Sequence, residues 1–237
     1  MAAGFDRQDV PESVQRVTDA ILQKQKEAEQ AAKQERKPIT WAMHLRACEV
    51  LVDWCKAAWY DSSAIEPTEF DRLADWIAAY CINRNNPAIV DRPRQCLWLC
   101  GGCGRGKTHL ARILRDRLQI PMRIADDISR DVTTDDMTAY DRRLYTTAAQ
   151  DLIIDDLGAE ELRGSYGNTT EMPQLLCRLY ELWRYNGKLL IVTSNYGLSG
   201  DWLTDLNARY GERVTDRLVE MFMPVKLTGK NWRRQGG

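Results

Sequence analysis

The chain has 237 residues and a formal net charge of −1, enough length for one large domain or a domain with an extension. So even a charge balance excludes a surface that is basic throughout, and any grip on nucleic acid must be local or built by an assembly. No apolar run reaches the ~18 residues of a membrane span, and the opening MAAGFDRQDV lacks the apolar centre of a secretory signal, so a cytoplasmic protein with no membrane contact is expected.

In chain order, Val10, Val14, Val17 and Ile21 recur at helical spacing and run into KQKEAEQAAKQERK, which is charged, rich in helix formers and closed by Pro38. This run is a solvated helix or a partner-binding arm. A second stripe, Trp41, Leu45, Cys48, Val52, Cys55 and Trp59, and a third, Phe70, Leu73, Ile77 and Cys81, are expected to face a core. Between them YDSSAIEPTEF carries loop residues, a stop-and-restart signal at Pro67 and a candidate helix cap at Thr68. A boundary there divides the chain into an N-terminal helical region, 1–66, and a domain, 67–237. The seven cysteines, odd in number and scattered, fit reduced thiols used as small apolar residues.

From residue 96 the rhythm becomes strand, helix, strand. Short apolar runs at CLWLC, MRIA, DLIID, KLLIVT and VKLT alternate with helical stretches, one of which puts Met172, Leu175, Leu176, Leu179 and Trp183 on one face. Such alternation predicts an α/β fold with parallel strands and crossover helices, and a ligand site beyond the carboxyl ends of the strands.

The stretch CLWLCGGCGRGKTHLARIL, Cys96 to Leu114, offers two chemistries. Cys100 and Cys103 have the spacing of a redox pair, whereas Gly101, Gly106, Lys107 and Thr108 match the phosphate-cradling pattern G-x-x-x-x-G-K-[ST]. A polyphosphate needs backbone N–H groups converging on its oxygens and a helix N-terminus aimed at it. Gly101, Gly102, Cys103, Gly104, Arg105, Gly106, Lys107, Thr108 and His109 follow an apolar strand and open a helical pattern, so they are expected to wrap the phosphates of ATP. Lys107 would reach the outer phosphates and Thr108 would hold Mg2+. Cys103 falls at a variable position of that loop and Cys100 ends a buried strand, which sets the redox reading aside. No second Cys or His pair has the spacing of a zinc site, and His109 is a helix-start residue.

A second element, DLIIDDLG, delivers Asp155 and Asp156 to the end of a buried strand beside the loop. Asp155 is the expected second Mg2+ holder, and Asp156 is placed to orient or deprotonate an attacking water. Acids at strand ends also serve as caps or turns. A third strand, KLLIVTSNYG, ends in Thr193, Ser194 and Asn195, where an amide can bond the attacking water or the outer phosphate, or simply mark a turn.

Together GGCGRGKTHLA, LIIDDLG, VTSN and YGERVTDRL, within residues 68–233, resemble the AAA+ ATPases of the DnaC-type helicase-loader family and the related IstB-type transposition ATPases. The resemblance implies a P-loop fold with a parallel five-stranded sheet of order 5-1-4-3-2 between helices and little or no separate lid domain. It makes Lys107 and Thr108 the Walker A ligands, Asp155 and Asp156 the Walker B pair, Asn195 the first sensor and Arg217 an arginine finger acting on a neighbouring protomer, with Arg213 as rival. It therefore implies a homo-oligomer. Periodicity alone would give both arginines surface ion pairs with Glu212, Asp216 or Glu220. Asp156 stands where many AAA+ enzymes carry the longer Glu, which points to slower hydrolysis, although this branch often uses Asp-Asp. Lys226 and Arg233 are the candidates for a second sensor.

By the same resemblance the chain is an ATP-dependent helicase loader, with residues 1–66 as the adaptor for a replicative helicase and single-stranded DNA as the nucleic-acid partner. Arg130, Arg142, Arg143, Arg163 and Tyr166 are candidates for that strand, and ordinary charged surface is the alternative for each. An IstB-type helper acting on duplex target DNA shares the same engine, and a third alternative is an ATP-gated scaffold with negligible hydrolysis.

Overall fold

A computed structural model describes residues 37–134, 142, 145, 150–160 and 171–231 of the chain. The chain falls into two compact units, residues 1–38 and 39–237, and every element named below lies in the second. The stripe from Val10 to Ile21 and the charged run up to Arg36 lie outside the described residues.

Helix α1 spans Trp41–Ala57, and Thr40 caps it by accepting the amide of Met43 at 3.4 Å. It packs along α2, Pro67–Asn85. Glu66, not Thr68, holds the cap position of α2, because Pro67 already has helical geometry at N1, where its missing N–H costs nothing. The α2 stripe faces inward as expected, with Leu73 and Ile77 buried and Phe70 and Cys81 partly so.

The expected α1 stripe does so only in part: Cys55 is buried and Cys48 and Val52 are half-buried, but Trp41 and Leu45 are exposed, as is Trp59 just beyond the helix, and the fully buried face is Ala47, Leu51 and Cys55. That face is roughly a quarter turn from the predicted one at 100° per residue. Leu51 and Cys55 share one hydrophobic cluster with the sheet residues Leu97 and Ile191, so residues 39–66 belong to the same packed unit as the strands.

The strands are β1 (Cys96–Cys100), β2 (Met122–Ile124), β3 (Leu152–Leu157), β4 (Leu190–Ser194) and β5 (Phe222–Lys226). They form one sheet in the order β2-β3-β4-β1-β5, every pairing parallel. This is the expected 5-1-4-3-2 order. The connections run through α3 (Lys107–Leu118), α4 (Ala125–Thr134), α5 (Glu171–Asn186), α6 (Asp201–Tyr210) and α7 (Glu212–Met221). β1 and β4 are buried along their whole lengths, the mark of a parallel sheet covered on both faces. The last strand begins at Phe222 rather than within VKLT; Pro224 is tolerated in it because β5 is an edge strand paired only with β1. Among the described residues no helix is long and apolar enough to cross a membrane.

Candidate nucleotide-binding site

The carboxyl ends of β1, β3 and β4 are neighbours in the sheet, so the three motifs converge at one edge. From β1 the chain turns through Gly101–Gly106 into α3. Gly106 takes the cap position at φ +85°, and a Cβ there would stand 2.8 Å from the Tyr60 ring, so both the turn and the close approach demand glycine. The first residues of α3, Lys107 and Thr108, thus point back over the strand ends.

Lys107 is buried, and its ammonium donates to the carbonyls of Gly101 at 2.9 Å and Gly102 at 3.0 Å and to Asn195 Oδ1 at 2.7 Å. A buried cation is stable only with such partners. The contact with Asn195 joins the loop after β1 to the end of β4. Thr108 Oγ1 donates to Asp155 Oδ1 at 3.0 Å, joining the same loop to the end of β3.

Asp155 is buried, and the same oxygen accepts a second hydroxyl, Thr193 Oγ1, at 2.6 Å. Thr193 Oγ1 in turn accepts the amide of Asp156 at 2.8 Å. Asp156 has φ +57°, a left-handed conformation that Asp tolerates better than most residues, and the β3–β4 register shifts between Ile154 and Leu157. The irregularity re-aims consecutive carboxylates, leaving Asp155 buried and Asp156 partly exposed. Ser194 turns its hydroxyl to the Leu157 carbonyl at 2.7 Å.

The rest of the loop is held from outside. Arg105 donates to the carbonyls of Thr228 and Gly229, and Asn231 lies against Gly104. The Ala64 carbonyl accepts the amides of Thr228 at 2.8 Å and Gly229 at 3.2 Å. His109 meets Tyr60 edge-on at 5.5 Å. Cys103 is exposed, while burial first and the Glu69 carboxylate second push the Cys100 thiol up to about 11, the reverse of what a redox thiolate requires.

Five predicted residues, Lys107, Thr108, Asp155, Asp156 and Asn195, therefore meet at one edge. Arg217 makes its contacts elsewhere, with Glu181 at 3.6 Å and over the Tyr180 ring at 5.0 Å, both on α5. Arg213 is exposed one turn earlier on α7 and has no ion-pair partner among the described residues. Lys226 is exposed at the end of β5, and Arg233 lies outside the described residues.

The chain has an α/β fold in which a parallel five-stranded sheet of order β2-β3-β4-β1-β5 carries a glycine-rich turn between its interior strand β1 and α3, the arrangement of a P-loop fold. No protein-family model and no curated protein matches it. Among solved structures this P-loop chain is similar to the DnaC helicase loader, at 23% identity, TM-score 0.47, over 69% of this chain and 92% of that one. It is also similar to DnaI, at 19% identity, TM-score 0.45, over 64% of this chain and 84% of that one.

Three features of the site carry no sequence signal of their own. Thr193, at a strand end, binds both acidic residues. Tyr60, in the stretch expected as loop, lies against Gly106. Glu160 is buried two residues beyond Gly158, where it accepts the Gly158 amide at 2.7 Å and the Tyr210 hydroxyl and pairs with Arg209 at 3.3 Å. That cluster fixes the turn after β3 against α6, and only its nonlocal partners reveal it.

Proposed function

We propose that the chain is an ATP-driven helicase loader that works as a homo-oligomer. The observation that carries the ATPase part is the joint geometry of Lys107, Thr108, Asp155, Asp156 and Asn195 at one sheet edge. The four motifs and their order support the loader part. Thr108 and Asp155 present a hydroxyl and a carboxylate oxygen to each other, a donor pair that suits Mg2+; they would hold it, and when bound it neutralises charge on the outer phosphates.

Loop amides from Gly102 to Lys107 bind the phosphates, with Gly101, Gly104 and Gly106 permitting the approach. Lys107 exchanges loop carbonyls for an outer phosphate. Asp156 orients the attacking water and accepts its proton; Asn195 bonds that water or the terminal phosphate. Arg217, from a neighbouring protomer, stabilises charge developing on the transferred phosphoryl group. For this it exchanges its contacts with Glu181 and Tyr180, and Arg213 remains the rival.

Residues 1–66 serve in this reading as the adaptor that recruits the helicase. For single-stranded DNA, Arg142 is exposed, and Arg130 is engaged by Asp126 at 3.1 Å and Asp127 at 2.5 Å; neither is without a partner. Arg143, Arg163 and Tyr166 lie outside the described residues.

The test is the steady-state ATPase rate across protein concentration, with single-stranded or duplex DNA, beside Lys107→Ala as the blank. A rate that rises cooperatively with protein and responds to single strands is the expected result. Stimulation by duplex alone would replace the loader with an IstB-type transposition helper, and ATP binding without turnover would leave an ATP-gated scaffold. Undiminished ATP binding by Lys107→Ala would overturn the phosphate-loop assignment itself.

A further inference from the structure

Away from the P-loop, the packing of α1 on α2 brings together three side chains with metal-ligating atoms. His44 and Cys48 lie one turn apart on α1, and Asp71 faces them from α2. His44 Nε2 is 3.6 Å from Cys48 Sγ and 3.9 Å from Asp71 Oδ1, and Cys48 Sγ is 4.0 Å from Asp71 Oδ1.

Those three separations decide the matter. A tetrahedral zinc ion with Zn–N and Zn–O bonds near 2.1 Å and a Zn–S bond near 2.3 Å sets its ligand atoms about 3.6 Å (N to S), about 3.4 Å (N to O) and about 3.6 Å (S to O) apart. The observed triangle is larger by no more than about half an ångström on any side, a closure that side-chain rotation supplies without moving either helix.

The surroundings match as well. His44 Nδ1 lies 2.8 Å from Asp75 Oδ1, one turn along α2 from Asp71. In the tautomer that donates from Nδ1 to Asp75, the Nε2 lone pair faces Cys48 and Asp71. A carboxylate in that position fixes the orientation of a metal-binding imidazole and raises its basicity. The Trp41 ring stacks on His44 at 5.0 Å and 16°, holding the imidazole plane. Neither Asp71 nor Asp75 has a Lys or Arg ion-pair partner among the described residues, so negative charge gathers here without a side-chain cation opposite it.

We propose that His44, Cys48 and Asp71 form a site for a divalent transition ion of the zinc class, with Asp75 as the positioning residue for His44. The mixed nitrogen, sulfur and oxygen donors favour zinc over magnesium or calcium. Binding forms the metal–sulfur bond as the Cys48 thiol proton leaves to solvent, so thiolate and carboxylate together balance the ion's charge. Asp71 is exposed, which leaves the fourth position to water. The ion would cross-link α1 to α2 at the start of the packed unit.

The experiment uses the full chain, stripped with chelator and titrated with Co2+ as a spectroscopic stand-in, then with Zn2+ in competition. One equivalent of Co2+ should produce a thiolate charge-transfer band in the near ultraviolet, displaced by Zn2+. Cys48→Ser should abolish the band and Cys103→Ser, at an exposed thiol of the P-loop, should keep it. Asp71→Asn should weaken binding at least tenfold, and Asp75→Asn about tenfold with the band retained. These side chains are at least partly exposed, so the variants fold, and circular dichroism verifies it. Absence of the band in the wild type, or its persistence in Cys48→Ser, would overturn the site. Neither result touches the nucleotide reading, whose Mg2+ oxygens give no thiolate band.

Discussion

Thr193→Val tests the central network with an isosteric change. The hydroxyl it removes is fully buried, donates to Asp155 at 2.6 Å and accepts from the Asp156 amide at 2.8 Å. A hydrogen bond to a charged group contributes about 1.5–3 kcal/mol and a neutral one about 0.5–1.5 kcal/mol, so with volume conserved the loss should be about 3 kcal/mol. Thr193→Ser keeps both bonds, gives up one methyl and should cost about 1 kcal/mol. Urea unfolding at constant m reads this as a midpoint shift on the order of 1 M for the Val variant and well under half that for Ser. The second readout is Mg2+: with Asp155 held by Thr108 alone, the Mg2+ concentration that half-saturates nucleotide hydrolysis should rise about tenfold. A Val variant as stable as wild type, with an unchanged Mg2+ requirement, would refute the view that Thr193 anchors the acidic pair.

Asp156→Asn should leave stability unchanged, because Asn also tolerates φ +57°, while single-turnover hydrolysis falls about a hundredfold and ATP binding persists. Arg217→Ala should cost about 1 kcal/mol or less, since a half-exposed pair at 3.6 Å and a ring contact are all it loses inside the protomer, yet it should remove concentration-dependent turnover. Normal turnover there, with loss in Arg213→Ala, would transfer the finger role one turn along α7. Lys188, fully buried, predicts an alkaline effect: desolvation lowers its pKa from 10.5 to about 8, partly offset by Asp151. The folded value lies below the unfolded one, so the unfolded chain holds the extra proton in that window and stability rises with pH across it. Relative to Lys188→Met, wild type should gain up to about 3 kcal/mol between pH 8 and 10.5 in paired urea melts. A pH-independent difference would contradict that assignment.

The placement of the glycine-rich turn and of both acidic residues at one end of the sheet was legible because each motif is a contiguous run with a strand before it. The parallel strands were legible from alternation, but their order came through the family resemblance, since alternation alone does not say which strand lies beside which. What escaped depends on distance along the chain. Thr193 acquires its role from Asp155, 38 residues away. His44 and Cys48 offered no zinc pattern because the third donor comes from a different helix. For α1, the large apolar residues Trp41 and Leu45 outweigh Ala47 in the pattern, although packing against α2 selects the face that carries Ala47, Leu51 and Cys55. Helix faces are chosen by fit to a neighbour, which a single-helix periodicity does not contain.

The clasp of residues 64–65 with 227–229 bears on how strain reaches the candidate site. Ala64 bonds to Thr228 and Gly229, Ile65 bridges Leu227, and the same short segment receives Arg105 from the phosphate loop. Tyr60, just upstream, abuts Gly106. Two stretches far apart in sequence thus form a single handle on the loop, one of them the direct continuation of α1. If the loop binds phosphate as proposed, thermodynamic reciprocity requires that a force or partner straining this handle alter phosphate affinity and that a bound phosphate stiffen the handle by the same free energy. Main-chain bonds from Ala64, the Ile65–Leu227 bridge, the Arg105 guanidinium and the Tyr60 ring together couple the end of α1 to the glycine-rich loop.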